Sequence, residues 1–585
     1  MEAIGNLKLE MKSRGIFAYI VTSEDFHGSE YVGEHFKVRE YLSGFTGSAG
    51  TLVVTENEAL LWTDGRYFIQ AAEQLSGSGI KLMKMREPEV PTIEDYFKDN
   101  LPENSVLGFD GRTVSADFAL RLRKILKFKN IEFKVDEDLG GIVWKDRPPI
   151  INNRVFELPD ALCGSSRSEK LSLIREKING SGAECLVISA LDEIAWTLNL
   201  RGSDIEYNPV FAAFMIIYKD KAELFADKEK FPEDIIRKLN SDNIELRPYH
   251  DIYKAAAEIK SPALLCPKAL NFKLFSAVPV SCRKITARGP VELLKAVKNP
   301  SEILSEKNAH LKDGIAVTRF MKWLKDSVGT EYITEISAAE KLEEFRRGGE
   351  SYLGQSFEPI MAYKEHAAIV HYSATEETNA EIKPRGMLLS DTGGHYLDGT
   401  TDITRTFVLG ELTDEEKRAF TLVLAGHLEL LHARFPKGTH GACIDYAARE
   451  PLWKAGLNYN HGTGHGVGFL LNVHEGPQRI SSSALKDVPF EAGMITSDEP
   501  GLYIEGKFGI RHESLILCEK SEFEGFLEFS PLTLVPFDRE GVDAEYFTPK
   551  QREYFNQYQR MVRETLSPRL SKEEAQWLAE VTREI

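Results

Sequence analysis

The chain has 585 residues, too many for a single hydrophobic core, so two or three domains are expected. Hydrophobic residues make up 42% of it and no low-complexity tract interrupts it, which predicts globular folding throughout. The 90 acidic residues outnumber the 72 basic ones, for a net charge of −18. Nucleic acid and anionic membranes call for a basic face, and none stands out, so we expect neither partner.

The six cysteines are scattered and form no CxxC pair, which is typical of a reducing compartment. Residues 1–21 mix charges and lack an apolar stretch followed by small residues, so they do not resemble a secretory signal. The longest apolar run, from Val210 to Tyr218, is too short to span a bilayer and is typical of a buried strand. We therefore expect a soluble cytoplasmic protein.

The first section of the chain alternates strand and helix signals. The β-branched and aromatic run FAYIVTS (17–23) predicts a buried strand. GTLVVT and ALLWTD, separated by the polar residues 56–58, predict a hairpin, and RYFIQAAEQL then changes to helical spacing. A second section repeats this order with the strand ECLVISA (184–190), a hairpin turning at 219–221 and the helix FPEDIIRKLN.

This repetition predicts two related α/β domains in tandem, 1–153 and 154–298, joined through the proline-bearing segment DRPPIINN (146–153). A third domain, 299–585, begins with a helix, because Asn299 can cap it, Pro300 suits its first position and Glu302 completes a capping box. From Ser390 onward, short apolar strands broken by glycines alternate with helices. Ser571 and Glu574 predict a capping box before the final helix.

Four acids and one histidine lie in or beside these later strands: Asp391, Asp402, His465, Glu499 and Glu513. The glycines in DTGGHYLDGTTDITRT favour a tight reversal that could place Asp391 and Asp402 on one side. Carboxylate oxygens with one imidazole favour manganese or another first-row divalent ion over a thiolate-type zinc site. Two such ions can share one water, lower its pKa and polarise a carbonyl.

Taken singly, each acid is better explained as a surface or turn residue, since Asp and Glu are usually exposed. The set gains weight because the neighbouring sequence is apolar or turn-like, and a buried acid there needs a partner. No HExxH, GxSxG or P-loop sequence offers a competing chemistry.

The segments DGTTDITRT, HGTGHGVG with NVHEGP, and DEPGLY with FGIR resemble those of the pita-bread metallopeptidases, the family of methionine aminopeptidase, prolidase and aminopeptidase P. Within that family the chain is most similar to the long, three-domain form of aminopeptidase P. The similarity extends to YLSGFTGSAG and WTDGRYF near the N-terminus, and so covers nearly the whole chain.

The resemblance implies an Xaa-Pro aminopeptidase with two divalent cations, most simply Mn²⁺, acting as a homodimer on peptides whose second residue is proline. Asp402 and Glu513 would bridge the ions, Asp391 would bind one, and His465 with Glu499 the other. Glu499 would also orient or deprotonate the attacking water.

The resemblance also assigns roles around the substrate. His371 and His474 would form hydrogen bonds and transfer protons, and His461 would line the proline pocket. Arg511 would anchor the peptide or hold the acidic cluster in place, and Tyr503 is a further candidate for the same wall. Without the resemblance, a histidine near a strand end is more often a satisfied polar residue than a catalyst.

One residue departs from the family pattern: His512 stands between the arginine and the last glutamate, where the family usually has an aliphatic residue. If this segment is a strand, His512 faces away from the metals. Two alternatives stay open. One is prolidase, which takes only dipeptides, and the other is a metal-free peptide-binding module of the same fold.

Overall fold

The computed structural model describes residues 2–484 and 488–585. Its contacts divide the chain into two compact units. The first comprises the residues up to Asp160 together with Ser165–Glu292, and the second comprises Ala161–Gly164 and Leu293–Ile585. In the described part of the chain, no helix has both the length and the apolar character needed to cross a bilayer.

The first unit begins with a six-stranded sheet flanked by helices. Its strands are β1 Ala18–Thr22, β2 Thr51–Thr55, β3 Ala59–Thr63, β4 Ile80–Lys84, β5 Val106–Phe109 and β6 Glu132–Lys134. Its helices are α1 Glu2–Ser13, α2 Val38–Ser43, α3 Phe68–Gln74, α4 Ile93–Asn100, α5 Ala116–Ile125 and α6 Leu139–Val143. The order across the sheet is β4-β3-β2-β1-β5-β6.

A second six-stranded sheet follows. Its region contains the strands β7 Phe156–Glu157, β8 Cys185–Ile188, β9 Leu200–Arg201, β10 Phe214–Tyr218, β11 Ala222–Phe225, β12 Ile244–Arg247, β13 Ala263–Leu265 and β14 Lys284–Thr286. The helices are α7 Asp160–Cys163, α8 Arg167–Gly180, α9 Leu191–Leu198, α10 Glu233–Ser241, α11 Ile252–Ala257, α12 Phe272–Ala277 and α13 Pro290–Ala296. The sheet order is β12-β11-β10-β8-β13-β14, while β7 and β9 pair separately.

The two sheets have the same topology. In both, the central strand pairs antiparallel with a hairpin strand on one side and parallel with a later strand on the other. The outer pairs are parallel at both edges of both sheets. The predicted hairpins are β2–β3 and β10–β11. The predicted tandem relationship is therefore confirmed strand by strand, although the sequence shows it only as a repeated pattern.

The second unit begins with α14 Pro300–Ser327, whose N-cap is Asn299 and whose capping box with Glu302 forms as predicted. The remaining helices are α15 Glu335–Arg347, α16 Asp414–Leu431, α17 Gly441–Lys454, α18 Pro549–Leu566 and α19 Lys572–Val581. The capping box of Ser571 and Glu574 also forms.

The strands of the second unit form small antiparallel sheets. The first half of the unit contains β15 Tyr352–Gln355, β16 Ile360–Tyr363, β17 Met387–Thr392, β18 Gly394–Tyr396, β19 Gly399–Thr400 and β20 Ile403–Val408. The second half contains β21 Arg434–Pro436, β22 Gly464–Gly466, β23 Glu475–Ile480, β24 Ile495–Asp498, β25 Gly501–Ile504, β26 Phe508–Arg511, β27 Ser514–Lys520 and β28 Phe526–Pro531.

Two apolar cores support these sheets. Helices α14 and α15 pack on the sheet β16-β17-β20, and α16, α17 and α18 pack on the sheet β21-β28-β27-β24-β22-β23. The aromatic C-terminal segment predicted to dock on this domain is α18, which buries Phe555 and Tyr558. The strands that carry the predicted ligands are thus fixed from behind by helices.

The reversal between Asp391 and Asp402 is more elaborate than the predicted tight turn. Strands β17 and β20 pair antiparallel with Asp391 opposite Thr404, while β18 and β19 form a separate small hairpin between them. The glycines serve close packing here, because a Cβ atom on Gly393 would lie 2.1 Å from both Ser356 Oγ and the Thr401 carbonyl oxygen.

Candidate metal centre

The five predicted ligands come from separate strands and strand ends of the second unit. Asp391 lies in β17 and His465 in β22. Asp402 comes just before β20, Glu499 just after β24 and Glu513 just before β27. Around His465, Gly464–Gly466 forms a short strand. Five positions spread over residues 391–513 thus come close together in the fold.

The ligand-type atoms of these residues form three overlapping groups. Within each group one atom from every member lies within 4.8 Å of the others. The groups are Asp391, Asp402 and Glu513; His465, Glu499 and Glu513; and Asp402, His465 and His474. Asp402, His465 and Glu513 each belong to two of these groups, so neighbouring cation positions would share ligands, as in a centre with two cations.

The negative charge of this cluster is only partly compensated by the neighbouring Arg511. Burial raises the pKa of Glu513 well above its usual value, and the charges of Asp402 and Asp391 raise it further. Burial likewise raises the pKa of Asp391 to about 6, although Arg511 opposes the shift. One oxygen of Asp391, Oδ1, is buried without a hydrogen-bond partner among the described residues. Divalent cations would neutralise this charge and satisfy that oxygen, so the donor set fits two of them.

The same negative charges stabilise the protonated, positively charged form of His465. Burial lowers its pKa, but the contact of Nε2 with Asp402 Oδ2 at 3.5 Å and the charge of Glu499 outweigh burial and raise the pKa to about 9. A proton thus stabilises the cluster when no cation is present. Binding a cation through this imidazole requires the proton to leave.

Neighbouring side chains fix the ligands by hydrogen bonds. Thr404 Oγ1 donates to Glu513 Oε2 at 2.7 Å. Ser497 Oγ accepts from the His465 main-chain N–H at 2.9 Å and donates to Glu499 Oε1 at 3.2 Å. Such supporting contacts orient metal ligands before a cation binds.

Arg511 connects the ligand cluster to Tyr503, a residue predicted to contact the substrate. Its Nη2 donates to Asp391 Oδ2 at 2.5 Å, and its Nη1 donates to the Tyr503 hydroxyl at 2.7 Å. Burial raises the pKa of Tyr503 to about 12, so the hydroxyl keeps its proton. That hydroxyl lies 2.8 Å from His461 Nε2, and His461 Nδ1 lies 2.7 Å from the Gly462 carbonyl oxygen. A continuous chain of contacts therefore runs from Asp391 to His461.

The structure places the other two predicted histidines differently from each other. The ring of His474 lies 4.4 Å from that of His465 in an edge-to-face arrangement, directly at the cluster. His371 follows Val370, whose carbonyl oxygen accepts from Arg511 Nη2 at 3.4 Å. His371 belongs to none of the three ligand groups. His371 is near the site because its neighbour in the chain, Val370, contacts Arg511.

Comparison with known proteins assigns the chain to a family. The model of metallopeptidase family M24 matches residues 306–520, and the C-terminal region of that peptidase matches 525–585. Models of the creatinase/prolidase N-terminal domain match residues 4–140 and 146–302. The chain is 38% identical to aminopeptidase P1 of Arabidopsis thaliana, covering 99% of each chain. The chain belongs to the M24 metallopeptidases.

Further relatives support the same assignment within the M24 family. Xaa-Pro aminopeptidase 1 of Dictyostelium discoideum is 39% identical, over 97% of this chain and 93% of that one. The crystal structure of X-prolyl aminopeptidase from Caenorhabditis elegans, described as a cytosolic enzyme with a di-nuclear active site, matches with a TM-score of 0.96 and 34% identity. It covers 100% of this chain and 99% of that one. The predicted family and the predicted fold class, with its C-terminal pita-bread domain, are confirmed.

His512, the departure from the M24 pattern, points away from the cluster as predicted, but not because it lies on a strand. Residues 512 and 513 connect β26 to β27. The His512 ring is fully buried, with ring-centre distances of 4.4 Å to Phe420 and 5.6 Å to Phe537. Neither ring nitrogen has a hydrogen-bond partner among the described residues.

Sequence reasoning missed the residues that support the ligands. Thr404 and Ser497 carry no individual signal, because hydroxyl residues are common in strands. A buried pair, His427 of α16 and Asp498 of β24, was missed as well. Asp498 did offer a sequence signal, because it stands directly before the predicted ligand Glu499 in SDEPG.

Proposed function

We propose that this M24 protein is an aminopeptidase that removes the first residue of a peptide when proline follows it, using water held between two divalent cations. The convergence of the five ligand residues into overlapping groups carries the proposal. The names of the relatives from Arabidopsis, Dictyostelium and Caenorhabditis support the substrate class, since each is an aminopeptidase P or an Xaa-Pro aminopeptidase.

We assign the ligands as the family resemblance implies: Asp402 and Glu513 shared, Asp391 on one side, His465 and Glu499 on the other. When bound, the two cations supply Lewis acidity and a water of lowered pKa. Glu499 takes the proton of the attacking water, for which it is suited because it is only partly buried and is held by Ser497 Oγ. His474, which lies against His465, and His371 donate hydrogen bonds to the oxygen that gains negative charge, and they relay the proton taken up by Glu499 to the departing proline nitrogen.

The substrate beyond the scissile bond meets His461 and Tyr503. The Tyr503 hydroxyl accepts from Arg511 Nη1 and lies 2.8 Å from His461 Nε2, so it fixes the orientation of that ring. A ring fixed in this way suits a wall against the proline of the substrate. Arg511 is 2% exposed and already bonded to Asp391, so we assign it to holding that ligand and Tyr503 rather than to direct capture of the peptide.

Four further assignments complete the proposal. The oxygen-rich ligand set favours Mn²⁺. The sequence and the resemblance favour a cytoplasmic homodimer. We place the domain limits at 1–153, 154–298 and 299–585, and the family models change at 140–146 and at 302–306, close to these limits.

The deciding experiment compares substrates with the purified, Mn²⁺-loaded protein. An Xaa-Pro-Xaa tripeptide should be cleaved with a much higher kcat/KM than the corresponding Xaa-Pro dipeptide, and an Xaa-Ala-Xaa tripeptide should resist cleavage. A strict preference for the dipeptide would instead identify a prolidase. The same preparation dialysed against a chelator is the control and should lose activity until Mn²⁺ is restored.

The metal-free binding module makes a different prediction. Such a protein would bind proline peptides without cleaving them and would contain no stoichiometric metal. Metal analysis of the purified chain separates the two, because the proposal requires close to two ions per chain. A full set of carboxylate and imidazole ligands would be costly to keep buried without cations, which disfavours the module.

A further inference from the structure

His427 and Asp498 form a buried pair next to the proposed metal ligand Glu499. His427 is in the middle of α16, in an otherwise apolar stretch, and both side chains are fully buried. A polar pair placed in a hydrophobic core stabilises a fold less well than apolar residues of the same size. A pair at this position therefore calls for a role other than packing.

His427 lies close to both the main-chain carbonyl and the side-chain carboxylate of Asp498, the last residue of β24. His427 Nδ1 lies 3.0 Å from the main-chain carbonyl oxygen of Asp498 and 3.1 Å from its Oδ2. Because a carbonyl oxygen can only accept, Nδ1 must carry the proton. The hydrogen bond goes to the carbonyl oxygen. The carboxylate lies within ion-pair distance of the same nitrogen, but neither of its oxygens has a hydrogen-bond partner among the described residues.

The next residue along the chain is Glu499. Its main-chain N–H donates to the Thr463 carbonyl oxygen at 2.8 Å, and Ser497 holds its carboxylate from the other side. Ser497 and Asp498 are consecutive in β24, so their side chains point to opposite faces. Ser497 faces the ligands, and Asp498 faces α16. The strand end that presents Glu499 is therefore fixed from both faces.

We propose that His427 is a positioning residue for Glu499: by its hydrogen bond to the Asp498 carbonyl oxygen it sets the direction in which the chain leaves β24 and so places the Glu499 carboxylate at the metal centre. This inference rests on the proposed function, since it concerns the ion that His465 and Glu499 would share. His427 touches neither substrate nor cation, and it acts through one intervening residue.

The test uses two amides at position 427. In His427→Asn, the amide nitrogen occupies nearly the place of Nδ1, whereas in His427→Gln it extends toward the place of Nε2, which has no partner among the described residues. Calorimetric titration of the metal-free, full-length proteins with Mn²⁺ measures both sites. We expect His427→Gln to bind one of the two ions about 10- to 100-fold more weakly and His427→Asn to stay close to wild type.

The control is His432→Gln on the same helix, because His432 Nδ1 bonds to the Leu428 carbonyl within α16 and its ring stacks on Tyr554. It should leave both Mn²⁺ affinities unchanged. Unchanged affinities in His427→Gln would overturn the inference, and so would equal losses in the Asn and Gln variants, which would indicate packing alone. Wild-type protein that binds no Mn²⁺ would overturn the proposed function instead.

Should His427→Gln not fold, His427→Leu tests the same contact, because it removes the N–H that bonds to the Asp498 carbonyl oxygen while keeping an apolar residue suited to α16. We expect it to weaken the same single ion, with kcat reduced more than KM is changed because Glu499 also handles the attacking water. Wild-type affinity for both ions in folded His427→Leu would refute the positioning role.

Discussion

Arg511 and Asp391 form a buried ion pair in which Nη2 lies 2.5 Å from Oδ2, with the two side chains 2% and 11% exposed. The pair leaves Asp391 Oδ1 without a partner among the described residues. One carboxylate oxygen is thus committed to the protein, and the other is available for a cation. Arg511 therefore orients Asp391 and leaves its second carboxylate oxygen available to bind a cation.

Replacing Arg511 with lysine should separate these effects. Lysine keeps the charge but cannot contact both Asp391 and Tyr503 in the planar geometry of a guanidinium. We expect kcat/KM to fall at least about tenfold and Mn²⁺ affinity at one site to fall by about 10- to 100-fold. Steady-state kinetics and calorimetry check this. Arg347→Lys, at an exposed pair with Glu343, is the control and should have no effect.

Removing a shared ligand should differ from removing the proposed base. Asp402→Ala or Glu513→Ala should abolish turnover and leave fewer than two ions bound, because each residue belongs to two ligand groups. Glu499→Ala should reduce the rate strongly while one ion stays bound, since Asp391, Asp402 and Glu513 remain. Metal analysis together with single-turnover kinetics distinguishes them. Near-normal turnover in Asp402→Ala would contradict the shared role.

Metal binding should release protons at neutral pH. In the metal-free cluster the pKa of His465 is raised to about 9, so its imidazole is protonated at pH 7 and must lose that proton to bind a cation. The apparent Mn²⁺ affinity should therefore rise by about tenfold per pH unit for each proton released, between pH 7 and about 9. Calorimetry in buffers of different ionisation enthalpy counts the protons. A pH-independent affinity between pH 7 and 9 would show that His465 is already unprotonated in the metal-free protein.

The sequence allowed the larger features to be predicted, because their signals are local. The hairpins β2–β3 and β10–β11 follow from apolar runs around short polar turns, and the capping box at Asn299 depends on four adjacent residues. The five ligand residues were selected through family motifs. Spacing alone favours a surface location for each acid, since convergence of Asp391 with Glu513 depends on strands brought together only by the fold.

What the sequence could not reveal are contacts set by distant neighbours. Gly393 and Gly394 favour one tight turn when only the sequence is considered, but the need for glycine at 393 comes from Ser356 and Thr401, whose oxygens would lie 2.1 Å from a Cβ atom at that position. In the same way, His427 contacts Asp498 from 71 residues away. Neither partner can be inferred from periodicity, because a buried histidine and a buried leucine have the same helical spacing.

His512 offers a test of the cost of buried polar atoms. His512→Ile, which restores the aliphatic type usual in the family, removes two ring nitrogens that have no partner among the described residues. Loss of the edge-to-face contact with Phe420 offsets part of the gain. We expect a net stabilisation of about 1 kcal/mol, seen as a rise of about 2 °C in the melting temperature of the metal-free protein at pH 7.5.

The advantage of His512→Ile should grow as the pH falls. Burial, together with the charges of Arg405 and His427, lowers the pKa of His512 well below its usual 6.5. The unfolded chain therefore binds a proton near pH 6.5 that the folded chain refuses, so wild type loses up to about 1.4 kcal/mol per pH unit below 6.5 through this residue. The isoleucine variant lacks that loss. Melting curves of both metal-free proteins at pH 7.5 and 5.5 measure the difference, which cancels the titration of all other groups. An advantage that stays constant or shrinks at pH 5.5 would show that His512 is hydrated or hydrogen-bonded in the folded protein.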